Sequence, residues 1–360
     1  MDARYIRNVE LYALQDFDHA MLKRELMQRF GRVSEWRNLG NAAVRFVIHA
    51  LGWLLVALVD RWWFSGLAAL FLGLNLVGIF IVFHDAGHRT LSRSRLINDA
   101  FGDLAGAVFG FGTSWILARE SHKEHHRRNG HVDEVSALWK PMTREDYERA
   151  SWWSRLPYAL KMRQPLLSVL ELGNFKRTLG SAFTRVWASK RKRRELLRSQ
   201  LLSLLINAGM VYAAYLLMGW AGVAWLYLLP NFIGISAGAF FDRLNHANPE
   251  MRFSTDETWH NNESDMRTTI RVVYPRLINF LINDMNEHSI HHYVPSIPNR
   301  NLSAARRYVD EHYPGLFNEV ECSWSYLGEV VRHCQLLRSR AEPSFEPIHP
   351  RPQLERGTHP

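Results

Sequence analysis

The sequence predicts an all-α membrane protein, with four transmembrane helices in two hairpins and a cytoplasmic cap that holds three histidine clusters. Three observations predict it. Two apolar blocks, 46–83 and 201–241, are each too long for one crossing of a bilayer and about right for two. Positive charge is concentrated in the chain between them. HDAGH at 84–88, HKEHH at 122–126 and HSIHH at 288–292 all lie outside those blocks, the first immediately at the end of one.

Residues 1–43 are charged and lack the apolar core of a signal peptide, so this end is expected to stay cytoplasmic. Within them Leu11, Leu14, Phe17, Met21, Leu22, Leu26 and Phe30 recur at roughly helical spacing. Such an amphipathic helix either lies on the membrane surface or packs on the rest of the protein. The next block, 46–83, is 38 residues long and nearly all apolar except around Asp60 and Arg61. One helix of that length would run about 57 Å, against a hydrocarbon core of about 30 Å. Two antiparallel spans fit, turning at 60–65. The same arithmetic divides 201–241 at Gly219-Trp220-Ala221-Gly222. A third apolar block, 101–117, contains Gly102, Gly106, Gly110 and Gly112 and is too short to cross and return. With charged segments on both sides, it reads as a re-entrant or interfacial element.

The organisation that follows is an N-terminal segment over 1–43 and one membrane unit over 44–342, with its cap in 84–200 and 242–342. Pro343, Pro347, Pro350, Pro352 and Pro360 mark 343–360 as an unstructured tail. Residues 127–198 carry 17 Lys and Arg against 7 Asp and Glu, a surplus larger than the +9 of the whole chain. By the positive-inside rule that loop, both termini and all three clusters are cytoplasmic. The basic run at 189–194 resembles a nucleic-acid patch, but directly before a span it is better read as an anchor to anionic lipid. A mean hydropathy of -0.21 averages very apolar with very polar blocks and does not argue for a soluble protein. Thirteen Trp and 19 Phe suit a membrane interface. Two cysteines, Cys322 and Cys334, are too few for a disulfide framework.

In a helix, residues three and four apart share a face, so each histidine cluster aims two or three imidazoles at one point. Neutral imidazole suits iron, copper, zinc and nickel, and two to four ligands per ion are usual. Eight clustered histidines, His84, His88, His122, His125, His126, His288, His291 and His292, therefore imply two ions. His246, five residues beyond the second apolar block, can join them. A zinc protease is excluded, because Asp85 stands where HExxH needs glutamate. Haem needs only two axial ligands and would leave most of these idle.

HDAGH, HKEHH and HSIHH, separated by one membrane hairpin, resemble the three histidine boxes of the membrane fatty acid desaturase superfamily, which also contains hydroxylases and fatty acid decarboxylases. NEHSIHHYVPSIP at 286–298 is similar to the entry and exit of that family's third box. The resemblance runs from about Val44 to Pro298. It implies a non-haem di-iron site, with His246 in LNHAN at 244–248 as the additional ligand and His131 and His260 as weaker rivals. Asp85, Glu124, Asp284, Asn286 and Glu287 lie beside the clusters as candidate hydrogen-bond partners of the ligands or as local caps and ion pairs; only Asp85 and Asn286 match a family motif.

The implied reaction is desaturation of a fatty acid, acyl lipid, acyl-CoA or acyl carrier using O2. Hydroxylation, or oxidative decarboxylation to a terminal alkene, is the alternative within the same chemistry. A non-catalytic membrane protein that stores or senses metal is the alternative outside it. No flavin, haem or iron-sulfur motif occurs in the chain, so electrons must come from a ferredoxin, rubredoxin or b-type cytochrome. The basic loop offers such an acidic carrier a dock, or membrane lipid an anchor.

Overall fold

In the computed structural model, residues 5–349 are described except 7, 60, 112–113, 134–140 and 172–181. The chain is mostly helical, and three of its helices are long and apolar enough to cross a membrane: Glu35–Leu58, Trp62–His88 and Lys190–His246. Two short pairings, Arg271–Val273 with Glu319–Glu321 and Leu336–Leu337 with Phe345–Glu346, are the strand content among the described residues.

Helix α1, His19–Phe30, starts where the Asp18 side chain accepts from Met21 N at 2.8 Å. That satisfies one of the amide donors every helix leaves open at its start. Leu22 and Leu26 are fully buried against Leu14, Ile290 and Tyr293, so this amphipathic face packs on the protein. Helix α2, Glu35–Leu58, begins eleven residues before the apolar block does, because Asn38, Arg45 and His49 turn inward. Asn38 Nδ2 donates to Thr90 O at 2.9 Å, and Arg45 Nη2 to Asn283 Oδ1 at 3.3 Å. The polar residues that blurred the boundary in the sequence are thus those that tie the helix to the cap.

Helix α3, Trp62–His88, is the centre of the bundle, with 61% of its apolar window buried against 22% for α2. A helix apolar all round can occupy such a place only if its neighbours come close. Gly73 allows this: a Cβ there would stand 2.6 Å from Ile233 Cγ2. The α2–α3 turn falls at 59–61, with Asp60 outside the described residues. Helix α3 ends at Arg89, whose left-handed φ of 65° turns the chain away just after His88.

The third apolar block is split between α4, Arg95–Val108, and α5, Trp115–Arg128. At 14 residues each spans about 21 Å, short of a bilayer core. Gly102 lets them touch, because a Cβ there would overlap the Trp115 ring.

Helix α6 is Trp152–Arg163. Helix α7, Lys190–Gly222, continues through a π-turn at Val223–Leu228 into α8, Leu229–His246. A straight helix of those 57 residues would extend about 86 Å. It is not straight: Met218 and Gly219 leave helical geometry, Gly219 with φ 62°. Tyr227 Oη then donates to Asn207 Oδ1 at 2.5 Å, twenty residues back, so the chain doubles on itself.

Helix α8 packs along α3. The cap continues through α9 (Asn261–Arg267), α10 (His288–Tyr293), α11 (Asn299–His312) and α12 (Trp324–His333). The tail expected to be unstructured from residue 343 is ordered to 349. Phe345 and Ile348 are buried in the main core, and Pro343 and Pro347 flank the short strand rather than interrupt it.

Candidate metal centre

Four helices deliver the histidines. His84 and His88 occupy the last turn of α3, and His122, His125 and His126 the last turns of α5. His246 is the final residue of α8, and His288, His291 and His292 lie on the single turn and a half of α10. All nine gather into two adjoining groups: His84, His88, His122, His126 and His291 form one, and His125, His246, His288 and His292 the other.

The division follows the helical period. His122 and His126, four apart, share a face and enter the five-histidine group, while His125 is turned away into the four-histidine group. In α10 the pair four apart, His288 and His292, enters the four-histidine group and His291 enters the other. The two helices thus contribute in opposite proportion.

Within the five-histidine group, Nε2 of His126 stands 2.9 Å from that of His122 and 3.1 Å from that of His291. In the other, His288 Nε2 is 2.7 Å from His246 and 3.0 Å from His292, and His125 Nε2 is 3.2 Å from His292. Imidazole nitrogens about 2.1 Å from one ion in neighbouring positions lie about 3 Å apart, so both sets suit a metal. His88 Nε2 is buried without a hydrogen-bond partner among the described residues. Such an atom costs about 1–3 kcal/mol if left so, and a metal ion offsets that.

Burial, and then the neighbouring imidazoles, push His122, His126, His288, His291 and His292 well below the ordinary histidine value of 6.5. They are neutral at pH 7, the form that ligates. His246 Nδ1 lies 3.2 Å from the carbonyl of Thr268, to which it donates, leaving Nε2 for an ion.

The other candidates fall into place around this core. His131 lies outside both groups, 2.9 Å from Asp256 Oδ1, and His260 sits at the start of α9. His19 is structural, between Tyr293 Oη and Leu14 O. Asp85 Oδ1 comes within 3.5 Å of His84 Nδ1. Asn286 is buried with no hydrogen bond to any ligand histidine among the described residues, and Glu124 pairs with Arg127 on the surface. Glu287 is held by Arg271 and Ser303, and Asp284 is raised by burial and by Glu287.

Sequence reasoning missed two carboxylates. Asp242 Oδ1 lies 4.0 Å from His246 Nε2 and 3.9 Å from His288 Nε2. Its signal was present: it precedes His246 by four residues and so shares its helical face. Asp265 Oδ1 lies 3.7 Å from His292 Nδ1 and accepts from Asn129 Nδ2 at 3.0 Å, with its carboxyl pushed up to about 8 by burial. Nothing in its sequence neighbourhood marks it.

A cavity opens between the two groups and the bundle. Phe80, Ile81 and Phe83 form an apolar wall, and His84, His122, His125, His288 and His291 face it. Imidazoles from both groups therefore border one space with an apolar wall.

The profile of the fatty acid desaturase family matches residues 60–319, which take in all nine histidines. The chain belongs to that family. Similar proteins include the sn-1 oleoyl-lipid 12-desaturase of Arthrospira platensis, 27% identical over 81% of this chain and 81% of that one. The protein of the same name from Anabaena variabilis is 28% identical, with 83% of each chain covered. The chloroplastic omega-6 fatty acid desaturase of Glycine max is 25% identical, covering 84% of this chain and 69% of that one. Desaturase membership makes this an oxygen-dependent, metal-using membrane oxidoreductase.

Proposed function

We propose that this desaturase inserts a double bond into the acyl chain of a membrane lipid, using two irons. The observation that carries the reading is the cavity: apolar on the α3 side and bordered by histidines of both groups. One hydrogen leaves each of two adjacent acyl carbons. With two electrons and two protons from outside, O2 leaves as two molecules of water. Similarity to lipid 12-desaturases supports an acyl lipid over a free acid, and desaturation over hydroxylation or decarboxylation.

Two irons bound here, by five and by four histidines, would supply the oxidising power that an unactivated methylene requires. Each part of the chain has its own task. Phe80, Ile81 and Phe83 exclude water and hold the acyl segment against the histidines. Thr268 fixes the tautomer of His246 through its carbonyl, and Asp265 stands behind His292 to orient it. Asp242 places a carboxylate beside the four-histidine group, where it can complete the ligand set or hold a water.

The chain is read as crossing the membrane four times, because the reversal at Met218 and Gly219 halves the longest apolar helix. The charge surplus of 127–198 supports a metal centre on the cytoplasmic side. Electrons come from a small acidic carrier, a ferredoxin, rubredoxin or b-type cytochrome, for which that basic loop is the dock.

The test is expression in a host that makes only saturated and mono-unsaturated lipids, with gas chromatography and mass spectrometry of the products. New internal double bonds are expected, together with about two irons per chain in the purified protein. Hydroxy acids or 1-alkenes alone would overturn desaturation. Zinc alone, with no oxygen consumed, would favour a metal store.

A further inference from the structure

A second concavity lies on the other side of α5. Its lining combines the loop after α3, one face of α5 and the first turn of α7: Arg89, Arg93, Arg95, Arg119, Lys123, Arg191 and Lys192 supply its charge. Four carboxylates reach these seven cations. Asp99 pairs with Arg89, and Glu120 with Arg119, Lys123 and Lys192 at 3.1, 3.3 and 2.8 Å. Glu195 pairs with Arg95 and Arg191 at 3.7 and 3.4 Å. Glu35 takes the Arg93 backbone amide and the Ser92 hydroxyl. A surplus of three positive charges remains in one hollow.

Two further facts point to an anion. Helix α7 opens with Lys190, Arg191, Lys192, Arg193 and Arg194 and has no acidic residue in its first turn, so cations crowd the positive end of the helix dipole. An anion in the hollow would relieve that repulsion. Second, the hollow lies at the membrane boundary: α3 has just ended, α7 is about to enter its apolar stretch, and Leu96 and Leu197 beside it are 73% and 57% exposed. Arg119, only 5% exposed at its side chain, lines both this hollow and the cavity that reaches the histidines.

We propose that this basic hollow binds the phosphate of the substrate's head group, so that the enzyme selects a phosphate-bearing acyl substrate over an uncharged glycolipid. The inference rests on the acyl-lipid reading above. Glycerophospholipid and phosphopantetheine thioester share the phosphate; the boundary position and exposed leucines favour the lipid. An acidic electron carrier is the competing occupant, and the exposed leucines at the boundary, which a lipid would cover, favour the phospholipid over it.

The experiment uses the full-length, metal-loaded protein in neutral detergent. Binding of dioctanoyl phosphatidylglycerol, of uncharged dioctanoyl monogalactosylglycerol and of coenzyme A is measured by calorimetry, with wild type and Lys123→Ser/Arg191→Ser. Both sites are surface positions, 57% and 68% exposed, so folding is not at risk. Wild type should bind the phospholipid at least about ten-fold more tightly than the glycolipid, and the double variant should lose about that factor for the phospholipid alone. Coenzyme A binding as tightly, with the same loss in the variant, would assign the phosphate to a thioester substrate instead of a lipid. Equal affinity for charged and uncharged lipid, or an unchanged variant, would overturn the proposal. So would a variant whose only defect is slower reduction by reduced ferredoxin. Phosphate-dependent binding without any double bond formed would refute the desaturation reading and leave the head-group site standing; double bonds with no phosphate preference would do the reverse.

Discussion

The two histidine groups differ in what surrounds them. In the five-histidine group four members are only half-buried, His84 and His122 among them line the cavity, and the carboxylate of Asp85 lies 3.5 Å from His84. All members of the four-histidine group are buried, backed by Asp242, Asp265 and the Thr268 carbonyl. A site with five imidazoles needs little else to hold an ion. One with four draws on carboxylates, whose burial the surrounding core has to tolerate. The two groups therefore predict different responses to the same kind of damage.

Removing a ligand gives the largest effect. His288→Ala leaves three imidazoles in its group and His291→Ala leaves four, so both should abolish turnover, by more than about a hundred-fold, beyond what outer partners of a ligand contribute. Metal analysis should show His288→Ala losing more metal than His291→Ala; equal losses would erase the distinction between the groups. His125→Ala should likewise stop turnover while leaving membrane insertion intact.

Asp242→Ala should follow, weakening metal retention or activity by about 10- to 100-fold, with Asp242→Asn recovering part of it. Chelator titration followed by mass spectrometry reads this out, and the loss should be confined to one ion per chain. If both ions leave together, Asp242 supports the fold rather than one group.

A pH effect comes next. Burial lowers the folded-state pKa of His122, His126, His288, His291 and His292, so below about 6.5 the unfolded chain binds more protons than the folded one. Stability present above that pH is lost as it falls. The chelated protein should drop in Tm between pH 7 and 5, and the metal-loaded protein, higher in Tm at pH 7, should drop further, since ligation keeps protons off these nitrogens in the folded state and acid displaces the metal. A Tm advantage of the metal-loaded form that does not shrink as pH falls would place the imidazoles away from the metal.

The smallest effect is expected at Glu124, in the middle of a histidine cluster yet paired with Arg127 at the surface. Glu124→Gln should alter stability by no more than about 0.5 kcal/mol and leave activity unchanged. A large loss would mean that proximity in sequence to the histidines matters more than the direction of the side chain.

That contrast between Glu124 and Asp242 measures what could be read from the chain alone. Block length, charge asymmetry and histidine spacing are local quantities set by helical rise, bilayer thickness and the helical period. They sufficed for a helical membrane protein with metal-binding histidines at the ends of its apolar segments. The same period implied that HxxHH offers two faces, though not which face meets which partner. Assignment of each histidine to five or four arose only when α3, α5, α8 and α10 converged, bringing His125 beside His292 across 167 residues. Asp265 entered the site the same way, from a helix with no metal motif. The choice of His246 over His131 and His260, the docking of α1 on the cap, and the packing of Phe345 and Ile348 in a proline-rich end also depended on distant surfaces. Local sequence determines which faces a segment can present, because that follows from its own period and polarity. Which of those faces is buried, and against what, is decided by the tertiary structure, since burial is a property shared between segments.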